Sequence, residues 1–593
     1  MCGIAGILQT APVSGVGGLE PLLAGFQQAL RHRGPDDRGL WMNAAGSAGL
    51  AHTRLSILDL SPGGHQPMVS EDGRRVICFN GEIYNFRELR DGLEARGEIF
   101  KTQSDTEVLL RLHAREGASM VERLRGMFAF CLWDEAEQTA LLARDPLGIK
   151  PLYVHESRGR LAFASELRAL TGSRLFRPTL DERAVQGFFE TGTVPEPLTL
   201  AKEVRLLQAG CTLTWRAGAS SRRRYWRLQF GESFEGDPVQ HTREALLDSV
   251  RHHFVSDVPV GVFLSGGIDS TAVLALANEV GHRGIGSFSI TVDDPEADEG
   301  EVARRTAKHF GSDHHEMRLD AEVARGLFGE FLRHTDQPSI DGLNTFTVSA
   351  LARTHGMKVV LSGLGGDELF GGYASFSRIP QMLRLHHWLG RAPFLPGLLR
   401  RGGPRHRRMA DFLAGPGSVD EAFACLRGIF SRPEAAALTA WITGGPAPLP
   451  EAEEVVVTGE AGSLDRISAL ELTRYMRNQL LRDSDVMSMA HGLELRVPLV
   501  DRALVEKVTR VPAAQRLRPN KGLFTAAVPE VPDWVVSQRK RGFLFPYQKW
   551  LGGEWGGAFG AACAQSPVAV PQWYQKWSLF MLRHSLEVLG LRS

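Results

Sequence analysis

The chain has 593 residues, which is too many for one ordinary hydrophobic core and predicts two or more domains. Lys plus Arg and Asp plus Glu are balanced at 68 each, so the formal net charge is zero. This balance disfavours wholesale binding to nucleic acid or to an anionic membrane, and no unbroken apolar run is long enough to span a bilayer.

The N-terminus shows no basic segment followed by an apolar stretch, which predicts a chain without a secretory signal and a cytoplasmic location. The six cysteines are scattered, without a C-x-x-C pair or a Cys/His cluster at zinc spacing. Most cysteines in such a chain are buried small hydrophobic residues. Cys2 is the exception, because of the segments described below.

The first 210 or so residues contain short apolar runs broken by Gly, Asp and Pro, a pattern that predicts buried strands of a sheet-rich, layered domain. A polar, Arg-rich stretch at 217–224, followed by 231–238, indicates a linker. The predicted divisions are a first domain at 2–210, a linker at 211–238 and a second domain at 239–593. The predicted strands are 75–79, 127–133 and 139–143, and the predicted helices are 84–96 and 106–116.

Cys2 follows the initiator Met1, and removal of Met1 would give this cysteine a free α-amine beside its thiol. The ordinary pKa of an α-amine, about 7.7–8.0, suits a base near neutral pH. A thiol beside its own base is the logic of N-terminal nucleophile enzymes. Taken alone, however, Cys2 is better explained as a buried residue at the start of an edge strand.

Three further segments carry groups that suit amide chemistry. Asn80 and Gly81 directly follow a predicted strand, where an amide side chain and a backbone N–H can point at a developing oxyanion. Arg54 lies beside an apolar run and can clamp a carboxylate. Asp105 lies at a helix start, where it can bind an amine or cap the helix. Taken singly, a turn, a surface ion pair and a cap explain these segments better.

Together with RHRGPDD at 31–37 and RDPLGIKPLY at 144–153, these segments resemble class II glutamine amidotransferases across nearly the whole first 200 residues. The resemblance implies an N-terminal-nucleophile αββα sandwich in which Cys2 attacks the side-chain amide of glutamine. A glutamyl thioester then forms, ammonia leaves and water releases glutamate. Asn80 and the Gly81 N–H would form the oxyanion hole, and glutamine would be bound by Arg54, Asn80, Gly81, Glu82 and Asp105.

The second half alternates strands with helices, which predicts a parallel sheet with helices on its faces. Residues 375–470 are poorly periodic and carry no assignment. The predicted strands are 258–264, 286–290 and 358–361, and the predicted helices are 271–280 and 301–310.

The segment SGGIDS at 265–270 joins the first of these strands to a helix. A Gly-rich turn at a helix N-terminus binds phosphate through free N–H groups and the helix dipole, and Ser265 and Ser270 add hydroxyl donors. Asp269 is explained in such a site if it binds Mg²⁺. The alternative is an ordinary Gly-rich turn. No G-x-x-x-x-G-K-[ST] motif is present, which disfavours P-loop kinase or GTPase chemistry.

The SGGIDS loop resembles that of ATP pyrophosphatases, which cleave ATP between the α- and β-phosphates. The segments SGLGGDELFGGY at 362–373, MSMAHGLELRVP at 487–498 and RKRGF at 539–543 resemble asparagine synthetases, so the resemblance spans both domains. It implies a Rossmann-like parallel-sheet domain that uses ATP and Mg²⁺, with Asp269 and Asp367 as metal ligands. Through its spacing to RKRGF, Lys521 is implied to stabilise the adenylating transition state.

The residues that the resemblance assigns to ATP share a position in or beside the predicted strand ends. Four of them, Leu264, Ile290, Ser362 and Gly363, would line the adenosine pocket. The complete set is Leu264, Ser265, Gly266, Gly267, Asp269, Ser270, Ile290, Ser362 and Gly363.

Leu364 departs from the family pattern, because glutamine-dependent asparagine synthetases typically carry Glu there, for the step in which ammonia attacks the acyl-adenylate. Leucine cannot accept a proton. Either another group such as Glu368 takes that role, or the acceptor carboxylate is not free aspartate.

The combined pattern predicts a glutamine-dependent asparagine synthetase that releases ammonia from glutamine and adenylates a carboxylate with ATP and Mg²⁺. Ammonia then displaces AMP, with L-aspartate as the leading acceptor and asparagine, glutamate, AMP and pyrophosphate as products. Water competes with ammonia at both sites, so a shielded passage between them is a mechanistic need. A homodimer would match the family, and no nucleic acid or membrane partner is expected.

Three alternatives remain open. The first keeps the chemistry and changes the acceptor to a peptide, a uronate glycan or a natural-product acid, as Leu364 suggests. The second is a non-catalytic nucleotide or glutamine sensor, which retention of the polar atoms of both sites disfavours. The third is a transferase that forms a glucosamine phosphate, which would need no ATP and is disfavoured by the SGGIDS loop.

Overall fold

The computed structural model describes residues 2–10, 18–231, 234–295, 298–389, 392, 394–445, 462–538, 545–553 and 555–591. The RKRGF motif at 539–543 lies outside these residues. Within the described chain, no helix is both long and apolar enough to cross a membrane.

The first part of the chain forms two antiparallel sheets of six strands each among the described residues. Its strands are β1 (Gly3–Gln9), β2 (Asp37–Met42), β3 (Ala48–Arg54), β4 (Met68–Val69), β5 (Arg75–Ile83), β6 (Gly126–Asp134), β7 (Thr139–Arg144), β8 (Tyr153–Ser157), β9 (Arg160–Ala164), β10 (Val204–Leu206), β11 (Cys211–Arg216) and β12 (Ala219–Arg224). The strand orders are β10-β8-β9-β1-β3-β2 and β12-β11-β7-β6-β5-β4.

The two sheets pack face to face, since one apolar cluster contains Ile4 and Phe163 of the first sheet and Cys131 and Leu213 of the second. Helices cover both outer faces: α1, α4 and α5 on the first sheet and α2 and α3 on the second. The architecture is therefore the αββα sandwich. The helices are α1 (Glu20–Ala29), α2 (Phe86–Glu94), α3 (Asp105–Glu116), α4 (Leu167–Thr171) and α5 (Glu182–Thr191).

Residues 211–224, assigned to a linker above, instead form the β11–β12 hairpin at the edge of the second sheet. Strand β11 is largely buried and pairs with β7, whereas β12 is mostly exposed. The Arg-rich composition of 217–224 therefore reflects a solvent-facing edge strand, because charged side chains are typical of such edges.

The second part of the chain contains a parallel sheet of order β15-β14-β13-β16-β17. Its strands are β13 (Val260–Phe263), β14 (Gly286–Val292), β15 (Asp313–Leu319), β16 (Val359–Leu361) and β17 (Glu494–Arg496). The predicted strands at 258–264, 286–290 and 358–361 are confirmed within a few residues. Strand β13 is central, so its C-terminal end meets both neighbouring strand ends.

Helices surround this sheet and account for most of the described residues of the stretch 375–470. They are α6 (Pro238–His253), α7 (Ile268–Glu279), α8 (Gly300–Phe310), α9 (Ala321–His334), α10 (Leu343–Thr354), α11 (Gly366–Phe370), α12 (Ser375–Leu389), α13 (Leu395–Leu399), α14 (Pro404–Ala414), α15 (Val419–Arg427), α16 (Arg432–Thr443), α17 (Ser463–Leu470), α18 (Arg482–Met489), α19 (Arg502–Val508), α20 (Ala513–Arg516), α21 (Gly522–Ala527), α22 (Asp533–Val536), α23 (Tyr547–Gly552), α24 (Gly556–Cys563) and α25 (Trp573–Val588). A π-helical segment (Glu471–Leu481) joins α17 to α18.

Both parts of the chain share hydrophobic core. One cluster joins Leu55, Ile57 and Met127 of the sandwich to Val262 of β13 and Leu361 of β16. Burial of apolar surface is the main favourable term in folding and association, so this shared cluster fixes how the parallel sheet meets the sandwich.

Candidate active sites

Cys2 lies at the start of β1, which pairs with β3 on one side and β9 on the other. The edge-strand alternative is therefore wrong. The Cys2 backbone N–H donates to Asn80 Oδ1 at 3.0 Å, and its carbonyl accepts from Arg33 Nε at 3.2 Å. Burial raises the pKa of the Cys2 thiol, while a hydrogen bond from the Leu55 backbone and the charge of Arg54 act to lower it. The nucleophile is thus held by a polar frame inside the protein.

Asn80 is fully buried in β5, and its Oδ1 is occupied by the Cys2 N–H. Its Nδ2 donor is buried and has no hydrogen-bond partner among the described residues. Buried polar groups are nearly always paired, so an orphaned donor beside a nucleophile is notable. The next residue must be glycine, because a Cβ at Gly81 would lie 2.0 Å from the Met127 carbonyl oxygen.

Arg54, at the end of β3, is buried and donates to the backbone carbonyls of Leu58 and Ser61, at 3.2 Å each, and of Asp59. These bonds tie the guanidinium to one wall of the pocket. We call this wall, residues 55–64, the glutamine wall; it contains a short 3₁₀ turn at Pro62–Gly64.

Asp105 begins α3, but the helix cap is Ser104, whose side chain accepts from the Thr106 N–H at 3.2 Å. The Asp105 carboxylate instead accepts from the Ile83 N–H at 3.0 Å, and burial raises its pKa to about 6. Glu82 is also buried; its carboxylate lies 3.7 Å from Arg496 of β17. Burial and the nearby Glu494 raise the pKa of Glu82 well above its ordinary range.

One pocket brings together Cys2, Arg54, Gly81, Glu82 and Asp105, and Asn80 adjoins it through its bond to Cys2. The remaining lining groups were not identified from the sequence. They carry no motif of their own and meet only through the fold. They are Leu55, Ile57, Leu58, Gly64, Gln66, Phe79, Ser104 and Thr106.

The SGGIDS turn links β13 to α7. Ser270 Oγ lies 3.0 Å from Ser265 Oγ and 3.1 Å from the Ser265 N–H, which donates to it. The Gly267 N–H donates to Ser265 Oγ at 3.2 Å. The two hydroxyls therefore stabilise the conformation of the turn. The sequence predicted them only as donors to phosphate.

Asp269, in the first turn of α7, and Asp367, in the first turn of α11, lie close together. Lys521 Nζ lies 2.6 Å from both carboxylate oxygens of Asp269 and 2.5 Å from Asp367 Oδ1. Burial alone would lower the pKa of Lys521, but the two carboxylates outweigh it and raise this pKa. The structure thus brings these three residues together in one place.

Glycines allow the SGLGGDELFGGY segment to lie close to the SGGIDS turn and to Lys521. A Cβ at Gly363 would lie 2.7 Å from the Ser270 backbone nitrogen, and one at Gly366 would lie 2.3 Å from Asp269 Oδ1. A Cβ at Gly372 would lie 2.4 Å from Lys521 Cε. The glycines of SGLGGDELFGGY therefore allow this segment to lie close to the SGGIDS turn and to Lys521, as glycine does wherever backbone must approach closely.

The residues assigned to adenosine lie around the same strand ends. The Leu264 N–H donates to the Phe288 carbonyl at 2.9 Å, which places Leu264 beside β14, the strand that contains the buried Ile290. Ser362 and Gly363 follow β16 on the other side of β13, and the Ser362 N–H donates to the Arg496 carbonyl at 2.8 Å.

Leu364 is half-buried and packs against two apolar clusters. Four residues further on, Glu368 is buried and accepts from the Tyr373 hydroxyl at 2.9 Å. Burial and the neighbouring Asp367 raise the pKa of Glu368 to about 8. A carboxyl group with such a pKa exchanges its proton near neutral pH.

Arg427 lies over the rings of Tyr373 and Tyr475, at 4.3 Å and 3.7 Å from their centroids, and bonds Glu471 at 2.6 Å. Arg427 comes from the stretch 375–470, where the sequence predicted nothing, and Glu471 and Tyr475 follow that stretch. With Tyr373, which donates to Glu368, they form a polar and aromatic layer.

The family comparisons match two models to this chain. A model described as a glutamine amidotransferase domain matches residues 1–226. A model described as asparagine synthase matches residues 241–580.

Several curated proteins are similar over most of the chain. A Bacillus subtilis protein named asparagine synthetase [glutamine-hydrolyzing] 1 is 33% identical, covering 93% of this chain and 88% of its own. Asparagine synthetase B [glutamine-hydrolyzing] of Escherichia coli is 33% identical, covering 61% of this chain and 63% of its own. A Gibberella zeae protein named amidase chry2 is 29% identical, covering 88% of this chain and 85% of its own.

Proposed function

The chain belongs to the asparagine synthase family, in its glutamine-hydrolysing form, and is a glutamine-dependent carbon–nitrogen ligase; from this premise we propose that it makes asparagine from aspartate. Glutamine supplies the nitrogen at the Cys2 pocket, and ATP activates the acceptor carboxylate at the strand ends of the parallel sheet. The observation that carries the first half is the orphaned Nδ2 of Asn80 beside Cys2.

At the first site, we propose that removal of Met1 leaves the Cys2 α-amine to take the thiol proton. The thiolate attacks the glutamine amide carbon, and the resulting oxyanion accepts hydrogen bonds from Asn80 Nδ2 and the Gly81 N–H. Ammonia leaves to give a thioester, which water hydrolyses to glutamate. Arg54 would bind the substrate α-carboxylate, and Glu82 and Asp105 would bind its α-amine.

At the second site, an oxygen of the acceptor carboxylate attacks the α-phosphorus of ATP and pyrophosphate leaves. Ammonia then attacks the acyl carbon and AMP leaves. Lys521, buried between two carboxylates, would stabilise charge in the first step. Glu368 would accept the proton that ammonia loses, because Leu364 cannot; with a pKa of about 8, it would do so in its ionised form, whose share grows as the pH rises towards 8.

The converging carboxylates of Asp269 and Asp367 fit Mg²⁺, which prefers oxygen ligands and is usually bound by one or two carboxylates together with substrate phosphates. Among the described residues, no group of three or more His, Cys, Asp or Glu side chains is placed to hold a metal ion. When bound, the ion would neutralise phosphate charge.

A second candidate keeps this chemistry and changes the acceptor to another carboxylic acid. Leu364 and the similarity to the protein named amidase chry2 favour it. The two candidates differ only in the group that receives ammonia.

A pyrophosphate-release screen of candidate carboxylates, with ammonia as donor, separates them. L-aspartate is expected to support release, with AMP and amide in equal amounts. Efficient turnover of another acid but not aspartate would establish the second candidate. Production of ADP instead of AMP would contradict both candidates. Cys2→Ala is expected to lose glutamine use and keep ammonia use.

A further inference from the structure

Besides the apolar contacts of Leu55 and Ile57, the glutamine wall makes polar contacts with two residues of the second part of the chain. Its backbone fixes Arg54, because the Arg54 guanidinium donates to the carbonyls of Leu58, Asp59 and Ser61. Whatever holds this wall therefore also sets the position of the group proposed to bind the glutamine carboxylate.

Asp59 occupies a backbone conformation with φ of +50°, which residues other than glycine rarely adopt. Its carboxylate is fully used within the sandwich, accepting from the Ser61 N–H at 3.1 Å and from the Gln103 N–H at 3.0 Å. Strained residues persist only where their surroundings hold them. The Asp59 N–H is hydrogen-bonded by a residue outside the sandwich.

This residue is Asp257, which lies in the segment before β13. Its carboxylate accepts from the Asp59 N–H at 2.8 Å, and its own N–H donates to the Ile57 carbonyl at 3.0 Å. The Asp59 backbone is thus bonded to Arg54 through its carbonyl and to Asp257 through its N–H.

Lys358 makes the second contact from the residue before β16. Its Nζ lies 2.7 Å from Asp36 Oδ2, the same oxygen that accepts from the Ser56 N–H at 2.8 Å, and 3.5 Å from the Ser56 carbonyl. Both ends of the segment 56–59 are therefore held by residues of the second part.

We propose that Asp257 and Lys358 are positioning residues of the glutamine site, supplied by the synthetase part, which hold the glutamine wall and through it Arg54. Both lie at the start of strands whose other ends carry SGGIDS and SGLGGD, so the sheet that presents the nucleotide loops also supports the glutamine pocket. The proposal rests on the proposed glutamine site at Cys2.

The test measures KM and kcat for glutamine hydrolysis in full-length Asp257→Ala, Asp257→Asn and Lys358→Met, with ammonia-dependent pyrophosphate release in parallel. Asp257→Ala and Lys358→Met are expected to raise KM for glutamine about tenfold, equivalent to about 1.4 kcal/mol, with little change in kcat. Asp257→Asn keeps an oxygen acceptor for the Asp59 N–H and is the matched control, expected within about twofold of the parent. Ammonia-dependent release is expected to stay unchanged in all three.

An unchanged KM in Asp257→Ala and Lys358→Met would overturn the proposal. So would an equal loss of ammonia-dependent release, because that result would show a general defect in folding. A parent chain that hydrolyses no glutamine at all would refute the proposed function itself, which keeps the two failures distinguishable.

Discussion

Asn80 combines an occupied acceptor and an unoccupied donor in one amide group. Its oxygen accepts from the Cys2 N–H, and its nitrogen has no hydrogen-bond partner among the described residues; we propose that it binds the substrate. A carboxylate at this position would keep the first role and lose the second, so the two can be separated experimentally.

Asn80→Asp is expected to lower kcat for glutamine hydrolysis by about 10²–10³-fold, the usual effect of removing one oxyanion-hole donor. The Cys2 N–H keeps its acceptor, so ammonia-dependent amide synthesis is expected to remain. Steady-state assays of glutamate and pyrophosphate release would check this, and undiminished glutamine hydrolysis would contradict the oxyanion role.

Under the proposed function, Asp105 is expected to make glutamine binding depend on pH. Burial raises its pKa to about 6, so the carboxyl is charged at pH 7 and largely neutral at pH 5, where it no longer attracts an α-ammonium group. In Cys2→Ala, which cannot consume the ligand, the Kd for glutamine is expected to rise about tenfold from pH 7 to pH 5. Calorimetry would measure this. Asp105→Asn should bind weakly without this slope; an identical slope would exclude Asp105 as its source.

At the scale of elements, glycines allow the SGLGGDELFGGY segment to lie close to the SGGIDS turn, because a side chain at these positions would clash. Gly366→Ala would place a Cβ 2.3 Å from Asp269 Oδ1. Overpacking of this kind costs about 1–3 kcal/mol, so pyrophosphate release is expected to fall about 5- to 150-fold. Glutamine hydrolysis should be unaffected.

Gly329→Ala in α9 is the matched control, because a Cβ there meets nothing within 4 Å. It is expected to leave both activities intact. Equal pyrophosphate release in Gly366→Ala and the parent would mean that the loops tolerate separation.

Some features of these elements could be predicted from the sequence, and others could not. The strand before SGGIDS, the helix after it and the position of Asp105 at a helix start follow from local patterns, and the structure has them. The sequence does not determine which of several nearby groups forms a hydrogen bond. It therefore did not predict that Ser270 bonds Ser265, or that Ser104 rather than Asp105 caps α3. The β11–β12 hairpin was mistaken for a linker because an exposed edge strand has the composition of a loop.

At the scale of the whole molecule, a buried ionic network crosses from sandwich to synthetase part. Arg33 bonds Glu166 at 3.0 Å and Asp485 of α18 at 2.7 Å, and Lys150 bonds the other oxygen of Asp485 at 3.2 Å. Such contacts, between residues hundreds of positions apart, leave no local pattern. That is why neither Asp485 nor the support of the glutamine wall could be predicted from the sequence.

Asp485→Ala would remove the ion-pair partner of Lys150 and one ion-pair partner of Arg33 in a fully buried setting. Removing one partner of a buried pair costs about 3–5 kcal/mol, so the free energy of unfolding is expected to fall by about that amount. Denaturant titration would show an earlier midpoint. Glu316→Ala, which breaks an exposed pair with Arg304, should cost about 1 kcal/mol or less. Equal shifts in both variants would contradict the role given to burial.

The support of the glutamine wall has a consequence for how such chains can be recombined. The two family models meet between residues 226 and 241, a natural place to join halves from different relatives. Yet Asp257 and Lys358 lie beyond that junction while the backbone they hold lies before it. On the proposal above, a hybrid joined there would take its nucleophile from one parent and the residues that position its glutamine pocket from the other. The segment needed for glutamine recognition would then be longer than the amidotransferase domain.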